Sequence, residues 1–170
     1  MFTNKIIFLF LIVFLSHKLL SNDTYEITIM GKFDGETLQL PNEGKFNVFK
    51  ADAAFSDTDG NFGDAIGRGV RETDKNNTII NLYVVLVFKS SDGSTMLTKP
   101  TRTESDIQAG TGSFVILHAT GVFEKYLQYK CKYAISTSNT GAFIQKNICK
   151  NINWFNLIYY YHLNIKINCI

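Results

Sequence analysis

The sequence predicts an all-β chain, an eight-stranded antiparallel β-barrel. Three observations predict it. Apolar and polar residues alternate with a period of two through the middle of the chain. Turn clusters of Gly, Asp, Asn and Pro recur at the spacing of a sandwich or barrel. Seven or eight strands in about 115 residues leave two exposed edges in an open sheet, and closure removes them.

Residues 1–21 read as a secretory signal peptide. Lys5 supplies a positive start, Ile6 to Leu15 form an apolar run of 10 residues, and Ser16 and Ser21 are small residues near a cleavage point. The run falls short of the roughly 18–20 residues that span a bilayer, so no stable membrane span is expected after cleavage. The expected location is secreted, extracellular.

Residues 22–143 then read as one barrel domain. Tyr25–Met30 and Lys45–Lys50 alternate as strands. Thr78–Phe88 is long, β-branched and aromatic, which suits a central strand. Asp92-Gly93 predicts a short turn into Ser94–Leu97. Gly110 and Gly112 tolerate φ > 0 and predict a tight turn into a strand over Phe114–Phe123. Tyr126–Ile135 follows as another strand. Further turns are expected at Asp34-Gly35, 41–44, 57–60, 74–77 and Pro100-Thr101, so neither proline interrupts a strand.

Residues 144–170 change composition to Asn, Ile, Tyr, Lys and Leu, without glycine, proline or acid and without a clear period. They read as translated AT-rich non-coding sequence, a gene-model artefact outside the domain. The body carries 12 Lys and Arg against 15 Asp and Glu, a net −3, which provides no basic footprint for nucleic acid. Three cysteines, Cys131, Cys149 and Cys169, allow at most one bridge, its pairing open. Asn22-Asp-Thr24 and Asn76-Asn-Thr78 make Asn22 and Asn76 candidate glycosylation sites.

The segment from Phe46 to Ile135 resembles the dirigent and allene oxide cyclase-like barrel proteins, which are calycin-like. Ile66-Gly67-Arg68 is similar to the Gly-Arg strand start of dirigent proteins, preceded by an acidic, turn-rich loop like 52–64. Leu82–Phe88 matches a long hydrophobic strand, Asp92-Gly-Ser-Thr-Met96 a short hairpin, and Ile107–Phe114 the Gly-x-Gly-x-Phe turn, with Gly121 seven residues on. Tyr25-Glu-Ile-Thr28 is similar to the first allene oxide cyclase strand. The resemblance implies an eight-stranded barrel, often trimeric, with an apolar pocket that orients a small hydrophobic ligand without metal or organic cofactor.

Asp34 takes the place of the dirigent first-strand acid, and Arg68 that of the Gly-Arg arginine. Thr120, Ser113 and Glu72 or Thr73 stand where the family carries other pocket residues. With His118, which shares parity with Phe114 and Ile116, Asp34 and Arg68 form the candidate catalytic set. A solvent-facing histidine and a surface salt bridge are the competing readings. Tyr83, Asp106 and Phe114 are candidate ligand-binding residues: a phenol offered to the lumen, an acid ahead of the glycine turn, and an inward aromatic. Ordinary packing and turn bonding compete for Tyr83 and Asp106.

Asp57-Thr-Asp-Gly-Asn-Phe-Gly-Asp64 has the wrong spacing for an EF-hand. No zinc spacing, nucleophile elbow or phosphate loop is present, so no metal or cofactor is expected. The function these observations predict is a secreted dirigent-like barrel that binds a small apolar ligand and orients it for cofactor-free coupling or cyclisation. A lipocalin-style carrier without catalysis is the alternative, and a structural barrel with a filled interior the third.

Overall fold

A computed structural model describes residues 24–151 apart from 42, 103, 104 and 107, with Ser105 and Asp106 described as backbone alone. The signal segment, Asn22 and Cys169 lie outside the described residues. The elements are β1 (Thr24–Gln39), β2 (Lys45–Asp57), β3 (Phe62–Thr73), β4 (Thr78–Ser90), β5 (Thr95–Thr101), β6 (Ser105–Asp106), β7 (Ala109–Ala119), a 3-10 helix (Gly121–Tyr126), β8 (Tyr129–Thr137) and β9 (Ala142–Asn151).

Eight of the strands close a single antiparallel barrel. Each long strand pairs with the next along the chain, from β1 through β5, then β7, β8 and β9, and β9 returns to β1. The two-residue β6 adds a short pairing to the start of β4. Closure leaves none of these eight strands with a bare edge. The eight-stranded antiparallel barrel expected from alternation is therefore the fold.

Alternation assigns the faces. On β1, Tyr25, Ile27 and Ile29 are buried while Glu26, Met30, Lys32 and Asp34 are exposed. Two bulges interrupt the alternation and turn the side chains beyond them to the other face. On β4, Thr73 pairs with Ile79 and Glu72 with Asn81, which leaves Ile80 as the extra residue. On β7, Leu97 pairs with His118 and Thr98 with Ile116, which leaves Leu117 as the extra residue.

The hairpin turns use the expected chemistry at three places. Asp57 Oδ1 accepts from the backbone N–H of Asp59 and Asn61, and Gly60 takes φ 84°. Gly93 takes φ 86° in the β4–β5 turn. Asp74 Oδ1 accepts from the N–H of Asn76 and Thr78. Asn76 is exposed in this turn.

Several expectations need correction. Residues 52–64 are mostly strand, the end of β2 and the start of β3, with a turn only between them. Asp34-Gly35 lies inside β1, where Gly35 abuts Val48 O and Phe49 and leaves no room for a Cβ. Pro100 lies inside β5, beyond the last β4 partner at Thr98, where the missing N–H breaks no β4 rung. Gly110 and Gly112 are strand residues of β7, not a positive-φ turn. Gly121 does take φ 58°, and it ends the expected strand over 114–123 by starting the 3-10 helix. The domain boundary at 143 falls inside β9, so residues 144–151 belong to the barrel, and residues 152–170 lie outside the described residues.

The two ends of the barrel differ. At the end that holds Tyr25, Phe55 and Phe88, the 3-10 helix inserts Phe123 and Tyr126 as a plug. Tyr25 stacks on Tyr126 with centroids 3.7 Å apart, and Phe55 meets Phe88 edge-on at 5.2 Å. Tyr25 Oη donates to Asp57 Oδ2 at 2.7 Å, and Tyr126 Oη donates to Asp59, which also pairs with Lys125. Cys131 and Cys149, directly opposed on β8 and β9, form a buried disulfide in this same half. The plug leaves the other half of the interior to house a site.

Candidate functional site

The unplugged half of the barrel encloses a cavity of about 70 Å³. Its walls are the inward residues of the strands: Ile29 and Phe33 from β1, Phe49 and Ala51 from β2, Leu82, Val84 and Leu86 from β4, and Ile135 and Phe143 from β8 and β9. The inward row of β3 runs through Ala65, Gly67 and Gly69 to Arg71, and Gly67 lines the cavity beside Arg71. The volume is several times what one water needs, and below the ~300–1,000 Å³ of sites that engulf drug-sized molecules. Phe33, Phe49, Arg71 and Thr137 also line an open depression of about 250 Å³ with Gln108, Ser138, Asn139 and Gly141, which forms the mouth.

Five polar side chains reach this apolar space, Thr137 at the mouth and four others. Arg71 is held by Asn47, whose Oδ1 accepts from Nε and Nη2 at 3.4 Å, and by the Phe49 ring 5.7 Å below its guanidinium. Burial and then the neighbouring positive charge of Arg102 push the Arg71 pKa down. Arg102 is buried, 7% exposed, just past the end of β5. Tyr133 on β8 donates to Thr101 O at 3.3 Å, and burial raises its phenol to about 12 despite the opposing pull of Arg102. Gln145 on β9 donates to Asn147 Oδ1 at 2.7 Å, and Asn147 donates to Ile27 O at 2.8 Å.

The β7 glycines make this arrangement possible. A Cβ at Gly110 would collide with the Arg102 guanidinium, and one at Gly112 with Thr101 O and the Tyr133 ring. Their value is close approach, which the absence of a side chain permits. On the outside, Arg102 and Tyr133 border a second depression of about 680 Å³ shared with Lys132, Lys146 and Ile148.

The structure does not bring the sequence-predicted catalytic set together. Asp34 faces outward and is strongly exposed, 3.4 Å from Lys50. Arg68 also faces outward, donates to Gly67 O at 2.7 Å and lies 3.6 Å from Asp52. They belong to a surface chain of Asp34, Lys50, Asp52 and Arg68, whose exposed pairs contribute at most ~1 kcal/mol each. His118 is turned outward by the Leu117 bulge. Tyr83 is outward and exposed, with Lys99 Nζ 4.8 Å from its ring centroid. Phe114 faces inward and is packed in the core. Asp106 pairs with Thr78 through its backbone.

Arg71, Arg102, Tyr133 and Gln145 were not singled out by sequence reading. A signal existed for Arg71, which continues the small-residue parity of Ala65, Gly67 and Gly69, whereas Arg68 does not. Among the described residues no group of three or more His, Cys, Asp and Glu could hold a metal ion, and no helix is long and apolar enough to cross a membrane. Compared with protein-family models, curated protein sequences and solved structures, the chain matches none.

Proposed function

We propose that this protein is an extracellular binding barrel that encloses the apolar part of a small molecule and releases it unchanged. The observation that carries the reading is the cavity itself: apolar walls, one plugged end, and a mouth at the other. Lining of this kind, with few polar groups among aliphatic and aromatic side chains, is the usual make-up of a ligand pocket. Carriage is preferred to coupling or cyclisation because Asp34, Arg68 and His118, the groups offered for catalysis, sit on the outer face. The buried Cys131–Cys149 bridge supports an oxidising location.

Titration with a neutral fluorescent naphthylamine tests the reading. Saturable binding at one site per chain is expected. Ala51→Phe projects a ring into the cavity from a buried wall position and should abolish saturation at an overpacking cost of ~1–3 kcal/mol. Equal binding by a folded Ala51→Phe variant would remove the cavity from the explanation.

A further inference from the structure

Among the described residues, the charges around the cavity and its two adjoining depressions are all of one sign. Arg71 lines the cavity and the mouth, Arg102 lines the cavity and the side depression, and Lys132 and Lys146 border the latter. No described Asp or Glu lines these three spaces, although the chain holds 15 of them. A guanidinium in apolar surroundings is costly to keep charged without an anionic partner. Among the described residues, Arg71 is offered a neutral amide oxygen at 3.4 Å and an aromatic face, neither of which carries a negative charge. After burial itself, the positive charge of Arg102 is the second cause that pushes the Arg71 pKa down.

On the reading of the barrel as a binder, we propose that its ligand is an organic monoanion, a carboxylate head on a short apolar body, with Arg71 receiving the head. Among the described residues, Arg71 is the charged residue that borders both the cavity and its mouth, so the head stops there while the body reaches Ile29, Leu82 and Leu86. The planar fork of arginine matches two carboxylate oxygens. The Gly110 and Gly112 gaps seat Arg102 and Tyr133 at the same cavity. Same-sign groups at an opening focus the field and favour entry of anions.

Calorimetric titration of the full chain with octanoate and with 1-octanol tests this. The two probes share a body and differ in head charge. Octanoate should bind about tenfold more tightly, as expected for one charge-assisted contact, and Arg71→Gln should bring the ratio of the two affinities to about one. Equal affinity of the native protein for both probes overturns the anion inference and leaves the apolar-binding reading standing. Binding of neither overturns both. Retention of the preference in folded Arg71→Gln overturns the assignment to Arg71. If Arg71→Gln fails to fold, Arg71→Lys, which keeps charge without the fork, must lower the octanoate preference, and an unchanged preference overturns the same assignment.

Discussion

Arg68 and Arg71 stand three positions apart on β3, and alternation sends them to opposite faces. The first joins a solvated chain of ion pairs; the second enters the cavity. Residue type alone could not separate them, but parity could, because Ala65, Gly67 and Gly69 mark the inward row. Gly110 and Gly112 stand out in the sequence yet point to the wrong cause: a strand glycine that yields space to another side chain looks, in sequence, like one that bends the chain. Gly112→Val is therefore expected to cost ~1–3 kcal/mol, since Thr101 O is backbone and has little freedom to move; a lowered urea midpoint with unchanged slope checks it. Tyr133 supplies a pH prediction. Its folded phenol titrates at about 12, while an unfolded tyrosine titrates near ~10. Between those values the unfolded chain binds fewer protons, so stability is full below pH ~10 and falls as pH rises towards ~12. Denaturant midpoints across that range should fall less steeply in Tyr133→Phe than in the native chain.

Strands are legible where one face is apolar and the other polar, as on β1, and illegible where that contrast fails. β7 carries a bulge at Leu117, and a parity count through it puts His118 on the wrong face. β9 is inverted over half its length: Gln145 and Asn147 face in while Ile144 and Ile148 face out. The polar pair is accommodated because Gln145 donates to Asn147 Oδ1 and Asn147 donates in turn to Ile27 O. No hydrophobic count could anticipate that partner, 120 residues away. The 3-10 plug is hidden for a similar reason, since Val122, Phe123 and Tyr126 suit a strand as well as a cap. Its energetic role is open to a direct test. Phe123 is fully buried against the core and Phe55, so Phe123→Ala should cost ~3–5 kcal/mol. Val122→Ala, a partly exposed neighbour on the same turn, should change stability by less than ~1 kcal/mol, and comparable losses in thermal melts would remove the plug role.

For the molecule as a whole, closure was legible in the sequence and the closing strand was not. An open sheet of these strands would expose two edges, which is an argument from count and length alone. The strand that completes the ring lies largely in the segment whose composition resembles non-coding sequence, yet β9 pairs on both sides, with β1 from Lys32 to Thr24 and with β8 from Thr137 to Tyr129. It also contributes Phe143 and Gln145 to the cavity and Cys149 to the disulfide. Two truncations separate the barrel from the residues C-terminal to it. A chain ending at Asn151 keeps every described strand, and it should melt in one cooperative transition with the Cys131–Cys149 bridge formed. A chain ending at Phe143 opens β1 and β8 to solvent, removes one half of the bridge and uncovers Tyr25, Ile27 and Ile29, which β9 flanks. Loss of the bridge alone accounts for ~3 kcal/mol, and stability of a domain this size is only ~5–15 kcal/mol. The shorter chain should therefore be recovered as aggregate or as an unfolded species by circular dichroism and size-exclusion chromatography. If it instead melts cooperatively near the temperature of the longer one, residues 144–151 are dispensable, and the ring must close through β1 and β8 without them.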